Sequence, residues 1–293
     1  MNNTKRIFSL LLAALFCFGA SSAAMAIDAG AERVTIGADL DQTQRAVIYK
    51  DFGIVPGSVT ELTVTNREER AYLEGLVSDQ KIGSVALSCV YIKTLAAGSG
   101  LQITTNNINW CTREIYVNAL TTAGITDAEV RVSAPFPVSG TAALTGIYKA
   151  YEDITGESLN DLAKVVAAEE MVITGNLTEL LGSVDAATLV NELKLILEQT
   201  KNMSDEQVIE EIKAIAAHLN VSLTDGQIQQ LLSLCRSMEK LNADELAAKV
   251  TSLTQTLETA GKAQQTFSKV VTDVKNFFVS IGTFFTNLFG GKK

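Results

Sequence analysis

The sequence predicts an α+β protein: a mixed β-sheet N-terminal domain with strand–helix–strand units, then an all-helical region and a long amphipathic C-terminal helix. Two observations predict this class. Before residue 134, short β-rich runs alternate with helical ones, and after residue 152 nearly every segment has the apolar spacing of a helix. The stretch 134–152 joins the two parts. The resulting division is a signal segment (1–26), a sheet domain (27–139), a helical domain (140–241) and the terminal helix (242–293).

The N-terminus has the pattern of a secretory signal peptide. Lys5 and Arg6 precede an apolar run at 7–18 that is too short to span a bilayer, and Ala24-Met25-Ala26 is a small-x-small cleavage site. We expect cleavage after Ala26 and a secreted or extracytoplasmic protein, either free or associated with the envelope. Cleavage removes two positive charges from a chain with a formal net charge of −9. Such an acidic chain repels phosphate backbones, so nucleic acid is excluded as a partner.

Five strands and three helices are expected in the sheet domain. Alternating apolar residues predict the strands, and polar caps with glycine stops predict the helices. Pro135 and Pro137 are expected to turn the chain between the last strand and a helix that begins at 139–141. The strands are expected at 33–37, 58–64, 84–95, 101–110 and 129–133, and the helices at 42–52, 67–76 and 112–123.

The order of elements in the sheet domain repeats. Residues 34–64 and 103–133 each run from a strand through a polar cap, a helix and a glycine stop to a second strand. Units of this kind have parallel strands. Two of them and one further strand predict a mixed sheet with helices packed against it.

Cys89 and Cys111 are a candidate disulfide. The A-G-S-G stretch at 97–100 predicts a hairpin between strands 84–95 and 101–110, and counting from that turn places the two cysteines nearly opposite each other. A cross-strand disulfide is one interpretation in an exporting compartment. The alternative is two small side chains buried on one face.

The helical region has clear start signals. Ser204 with Gln207 and Thr224 with Gln227 form capping boxes, and Asn242 opens the last helix. The last helix is rich in aromatic residues. It can pack on its own helical domain, pair with an unknown protein partner, or lie on a membrane surface. Its candidate interaction surface is Phe267, Val271, Val274, Phe278, Ile281, Phe285 and Leu288.

The helix start at Ser139, Gly140 and Thr141 is the candidate ligand site. Free backbone N–H groups at a helix start bind anions, although a helix that caps itself explains the same residues. A hydrolase would use Ser139, alone or with Lys149. However, the G-x-S-x-G elbow of serine hydrolases is absent, and His218 is the only histidine in the sequence. No metal-binding motif is present, and we predict no cofactor and no metal.

Several segments carry a resemblance to a known family. They are V-T-I-G-A-D-L-D-Q-T-Q-R, N-I-N-W-C-T-R-E-I-Y-V-N-A-L-T-T-A-G-I, A-P-F-P-V-S-G-T-A-A-L-T-G-I-Y-K-A-Y-E, L-T-D-G-Q-I-Q-Q-L-L-S-L and the tail F-F-T-N-L-F. These segments resemble the domain-of-unknown-function 1002 family of secreted bacterial proteins over essentially the whole mature chain. The resemblance implies export and no established activity, so it assigns no catalytic residue. Cys89 and Cys111 are not a required part of the family pattern.

The sequence therefore favours an exported, non-enzymatic envelope or extracellular protein that binds a partner or a surface through its C-terminal helix. The alternative is an enzyme of unrecognised, hydrolase-like type that uses polar groups near Ser139. A concave pocket with converging polar groups at this helix start would indicate a ligand site.

Overall fold

A five-stranded mixed sheet followed by helices forms the part of the chain that the computed structural model describes, residues 29–259. The strand order is β2-β1-β3-β5-β4. Strands β1 and β2 are parallel, β4 and β5 are parallel, and β3 is antiparallel to both of its neighbours. The predicted α+β class is confirmed. The strands are β1 (Glu32–Gly37), β2 (Thr60–Val64), β3 (Cys89–Thr94), β4 (Leu101–Ile108) and β5 (Ala128–Val138).

Several helices of the described residues begin at the polar caps that the sequence displays. The capping boxes at Ser204 and Thr224 are both formed, each with its glutamine three residues later. The helices are α1 (Gln42–Phe52), α2 (Asn66–Leu73), α3 (Asp79–Ile82), α4 (Arg113–Ala123), α5 (Thr141–Thr155), α6 (Asp161–Leu181), α7 (Ser183–Leu195), α8 (Leu197–Thr200), α9 (Asp205–His218), α10 (Asp225–Met238) and α11 (Ala243–Thr259).

Both predicted strand–helix–strand units are present, and in each the two strands are parallel. Their helices lie on opposite faces of the sheet. Helix α1 packs with Val34 and Tyr91 on one face, whereas α4 packs with Ile92 and Val130 on the other. The two units therefore have the same order of elements, but their helices cover opposite faces of the sheet.

The predicted hairpin between β3 and β4 is wrong. Strand β5 lies between them and pairs with both, so Cys89 stands opposite Ser133 rather than Cys111. Cys89 belongs to the cluster on the α1 face, and Cys111 belongs to the cluster on the α4 face. Both cysteines are buried free thiols, so they are not the cross-strand disulfide that we expected.

Pro135 and Pro137 do not turn the chain, contrary to the prediction. Strand β5 continues through them to Val138. Its pairing with β3 ends at Ser133, and its pairing with β4 is interrupted by a bulge and resumes at Val138. Both prolines lie between Ser133 and Val138, where β5 has no paired residue. Their missing N–H groups therefore remove no hydrogen bond from the sheet.

The hydrophobic core of the sheet extends beyond residue 139. Leu144 and Ile147 of α5, with Met171 of α6, pack in the same cluster as the strands. A second cluster begins within α6 and joins α7, α9, α10 and the start of α11. Val166 and Ile173 of α6 belong to this second cluster and Ala167 and Met171 to the first, so the two clusters share this helix.

A buried ion pair connects the helices behind the sheet. Lys194 of α7 lies 2.6 Å from Oε1 of Glu170 on α6, and both side chains are 0% exposed. Lys194 also donates to the carbonyl oxygen of Asn118, and the Thr122 hydroxyl donates to Glu170; both partners lie on α4. Burial lowers the pKa of Lys194 although Glu170 opposes this shift. The network fixes α4, α6 and α7 relative to one another.

Helix α11 begins as predicted, because Oδ1 of Asn242 accepts a hydrogen bond from the Glu245 backbone N–H. Its first part is packed inward through Ala243, Leu246 and Val250. The signal segment 1–26 and the predicted interaction surface from Phe267 to Leu288 lie outside the described residues. Among residues 29–259, no helix combines the length and apolarity that a membrane span requires.

Candidate ligand-binding site

A pocket of about 500 Å³ lies at one edge of the sheet. Strands β1, β2, β4 and β5 all point the same way, so their carboxyl ends meet at this edge, where open α/β sheets bind ligands. Three groups of residues form the walls: the start of α2, the segment around α3, and the loops that follow β4 and β5. The residues that line the pocket include Glu69, Lys81, Trp110, Ser139, Gly140, Thr141 and Ala142.

The structure brings Ser139, Gly140 and Thr141 together in the wall of this pocket, where the sequence predicted a ligand site. The helix does not cap itself. Ser139 donates its hydroxyl hydrogen to the carbonyl oxygen of Lys81 at 2.8 Å, and its Oγ lies 3.1 Å from the Thr141 hydroxyl. Gly140 is the N-cap residue, and no described side chain accepts from the first turn of α5. The Ala143 N–H donates to the Gly140 carbonyl oxygen, so the N–H groups of Thr141 and Ala142 are the ones left for a ligand or solvent.

Gly140 is required by its backbone and by its neighbours. Its φ of +93° lies in the left-handed region, which glycine adopts without strain. A Cβ at this position would lie 2.6 Å from Ile108 and 2.6 Å from the Tyr116 hydroxyl. That hydroxyl donates to the Gly140 carbonyl oxygen at 2.6 Å. The hydrogen bond holds the start of α5 against the pocket floor.

Glu69 of α2 also lines the pocket, although it was not among the site residues predicted from the sequence. Its side chain is buried, with 1% of the residue exposed. Oε2 accepts from the Asn66 amide nitrogen at 3.1 Å, and the Asn66 amide oxygen in turn accepts from Nε of Arg70. Oε1 makes no hydrogen bond of regular geometry in the described structure, although the Thr141 hydroxyl lies close enough to the carboxyl group to lower its pKa. A buried carboxyl oxygen in a pocket wall is therefore unsatisfied, which is costly unless a ligand or a proton occupies it.

The pKa of Glu69 is raised to about 7. Burial is the main cause, since it disfavours the charged carboxylate. The hydroxyl of Thr141, the amide of Asn66 and the charge of Arg70 act in the opposite direction but do not cancel the effect of burial. Near neutral pH, Glu69 therefore exchanges readily between its protonated and ionised forms.

Lys81 and Trp110 form the opposite wall, which is held by helix α6. The Lys81 ammonium lies 4.4 Å from the centre of the indole ring and pairs with Glu179. The indole N–H donates to the same carboxylate at 3.1 Å. A Cβ at Gly175 would lie 2.5 Å from the indole, so only glycine allows this close packing.

The other residues considered for chemistry do not line the pocket. Lys149 donates to the Thr63 carbonyl oxygen and pairs with Glu68, so a dyad with Ser139 is not formed. His218 is the last residue of α9. Burial raises the pKa of the Cys111 thiol, so this residue is inert packing beneath the pocket. Among the described residues, no cluster of His, Cys, Asp or Glu is arranged to hold a metal ion.

A weak signal in the sequence could have indicated Glu69. It lies in the charged run R-E-E-R at 67–70, which is typical of a solvated helix face. However, it precedes Leu73 by four residues, so the two side chains share one face of α2. Glu69 and Leu73 are the buried residues of that helix. Lys81 and Trp110 carry no comparable signal, because long-range packing brings them to the pocket.

The fold and the pocket together define an α+β protein with a pocket at the parallel edge of its sheet. The chain belongs to the family described as "Protein of unknown function (DUF1002)", whose model matches residues 36–259. It is 38% identical over 263 residues to a protein of Bacillus subtilis (strain 168) titled "Uncharacterized protein YpuA", which corresponds to 87% of this chain and 89% of that relative. No solved structure matches the chain significantly.

We expect Glu69 to make stability fall as pH rises from 4.5 to 7. Glu69 has an ordinary value of 4.5 and a folded pKa of about 7, so the folded state binds more protons in this window. The loss attributable to Glu69 is about 3 kcal/mol. Urea unfolding of the wild type and Glu69→Gln at both ends of the window measures it, because the neutral amide removes only this contribution.

Glu68→Gln is the matched control for that experiment. Burial raises the pKa of Glu68, but hydrogen bonds from Lys149 and Thr65 outweigh it and the pKa is lowered. The contribution of Glu68 to stability is therefore lost mainly below pH 4.5, so Glu68→Gln should keep the wild-type pH dependence between pH 4.5 and pH 7. Identical pH dependence in the wild type and Glu69→Gln would contradict the raised pKa of Glu69.

Proposed function

We propose that this chain is an exported, non-enzymatic protein that binds a small ligand in the pocket at the start of α5. The proposal depends on one observation: the unpartnered, buried Oε1 of Glu69 in the pocket wall. Folded proteins rarely leave such an oxygen without a partner, and buried polar groups of this kind cluster at functional sites. The signal-like segment 1–26 supports export.

The arrangement around Ser139 favours binding over hydrolysis. A serine nucleophile needs a base within hydrogen-bond reach, and the Ser139 hydroxyl hydrogen is directed to the Lys81 carbonyl oxygen instead. The Lys81 ammonium pairs with the Glu179 carboxylate instead. The pocket thus offers hydrogen-bond donors and hydroxyls without an activated nucleophile.

Thermal unfolding of the chain from residue 27 onward, with a panel of small polar metabolites, tests the proposal. A ligand at about one hundred times its dissociation constant stabilises its protein by about 2.7 kcal/mol, which raises Tm measurably. We expect at least one chemical class to raise Tm in the wild type and to do so much less in Thr141→Val.

Thr188→Val is the control variant, because it also removes a buried hydroxyl, on helix α7, away from the pocket. It should keep the full ligand-induced shift. If no compound raises Tm, the proposal is contradicted; if a compound raises Tm equally in Thr141→Val and the wild type, it does not contact the Thr141 hydroxyl.

A second candidate is an enzyme in which Glu69 transfers a proton. The observation that favours it is the pKa of about 7, which suits general acid–base catalysis at neutral pH. NMR spectra of the bound compound recorded over several hours separate the two candidates. Binding requires the compound to stay unchanged, whereas turnover that is lost in Glu69→Gln would establish the enzyme.

A further inference from the structure

The residues that line the pocket include hydrogen-bond donors of two kinds, backbone N–H groups and an ammonium group. The first-turn N–H groups of Thr141 and Ala142 belong to a helix start, which carries partial positive charge. The Lys81 ammonium is the cationic group of the pocket wall, and Glu69 is its carboxyl group. A cationic ligand would meet like charge on two sides, whereas a monoanion would meet donors.

The hydrogen bonds around Glu69 decide where its proton lies. Arg70 can only donate, so the amide oxygen of Asn66 must face it and the amide nitrogen must face Oε2 of Glu69. Oε2 is therefore an acceptor in both protonation states. When Glu69 is protonated, its proton lies on Oε1, which is the oxygen that has no partner among the described residues.

We infer that the pocket takes a small molecule bearing a carboxylate, which accepts hydrogen bonds from the N–H groups of Thr141 and Ala142 and from the proton on Oε1 of Glu69. This inference rests on the proposed function and specifies its ligand class. It also assigns Glu69 a definite role, that of a neutral donor to the bound carboxylate. A carboxylic acid that donates to a carboxylate forms a short, strong hydrogen bond.

The charged groups on the elements packed against α2 are already paired with partners other than Glu69. Arg70, the neighbour of Glu69, pairs with Asp79 of α3. The remaining pairs join α5 and α6 to their own neighbours and leave Glu69 as the titrating group of the pocket wall. They are Lys149 with Glu68, Lys164 with Glu152 and Asp161, Glu170 with Lys194, and Lys81 with Glu179. Cys111 and Tyr116 lie beneath, and burial keeps both neutral.

Carboxylate binding should therefore weaken as pH rises. A bound anion needs the protonated form of Glu69, and the protonated fraction falls about tenfold between pH 6 and pH 8 for a group with a pKa of about 7. Acetate itself stays ionised over this range. The dissociation constant for acetate should therefore rise about tenfold in the wild type.

The experiment uses the chain from residue 27 onward, labelled with ¹³C in its alanine methyl groups, so that Ala142 and Ala143 report on the pocket. Acetate, acetamide and ethylammonium are titrated at pH 6 and pH 8 at constant ionic strength. We expect acetate to shift the Ala142 signal and to bind about tenfold more weakly at pH 8. Glu69→Gln should bind acetate equally at both pH values, since its amide donates at each, and Glu68→Gln should behave as the wild type.

Each other outcome is decisive. If ethylammonium or acetamide shifts Ala142 and acetate does not, the carboxylate inference is overturned while the proposed function stands. If acetate binds with the same pH dependence in the wild type and Glu69→Gln, Glu69 is not the donor and the inference is overturned. If none of the three probes shifts Ala142 and the metabolite panel raises Tm for no compound, the proposed function itself fails.

Discussion

Replacement of Gly140 by alanine is expected to destabilise the protein by about 4 kcal/mol, through backbone strain and overpacking together. The new Cβ would lie 2.6 Å from Ile108 and from the Tyr116 hydroxyl, and φ is +93°. Both neighbours are fixed, because Tyr116 is buried and Ile108 pairs with Val138 at the end of the sheet. Urea unfolding measures the change in free energy.

Gly156→Ala is the matched control for this substitution. Gly156 ends the same helix with a φ of +68°, but nothing lies within 4 Å of a Cβ at that position. Its cost should be that of the left-handed backbone alone, about 1 kcal/mol. Equal losses in the two variants would show that Ile108 and Tyr116 do not constrain Gly140.

Replacement of Lys194 by methionine is expected to cost about 4 kcal/mol, because it leaves the buried Glu170 carboxyl without its cation. Neither side chain is exposed, and water cannot replace the lost partner. The double variant Lys194→Met, Glu170→Met should recover a large part of the loss, since it leaves no buried charge. Chemical unfolding of the single and double variants measures this coupling.

Lys213→Met is the control for the buried pair. Lys213 pairs with Glu210 on an exposed face of α9, so its removal should change stability by less than about 1 kcal/mol. If the two single substitutions at Lys194 and Glu170 add up in the double variant, the two residues are not coupled and the account of the network is wrong.

The buried pair also bears on the pocket, because its helices carry the pocket walls. Helix α4 holds Asn118 and Thr122 of the network, and it also carries Tyr116, which anchors Gly140. Helix α6 holds Glu170 and also Glu179, which positions Lys81. Loss of the pair should therefore weaken ligand binding as well as stability.

Short-range signals predicted the elements of the fold. The capping boxes at Ser204 and Thr224 and the cap at Asn242 depend on residues three positions apart, so the sequence displays them directly. Strand pairing between β3 and β5 joins residues far apart in the chain, and the glycine turn at 97–100 offered a plausible local alternative. The hairpin and the cysteine pairing failed together because one depended on the other.

The candidate site was predicted in part for the same reason. A glycine between two hydroxyl residues at a helix start is a local pattern that the sequence displays, and Ser139 and Thr141 line the pocket. Glu69 reaches the pocket from another helix, and Trp110 reaches it from the loop after β4. Which charged side chain is buried depends on tertiary packing, and the run at 67–70 does not reveal it.

The most direct test of the account is an NMR titration of the Glu69 carboxyl carbon in protein labelled with ¹³C-glutamate, assigned by comparison with Glu69→Gln. The account predicts a pKa of about 7 in the free protein, and a higher value with saturating acetate, because the bound anion favours the protonated acid. A pKa near the ordinary 4.5 in the free protein, or a pKa that acetate leaves unchanged or lowers, would contradict the account.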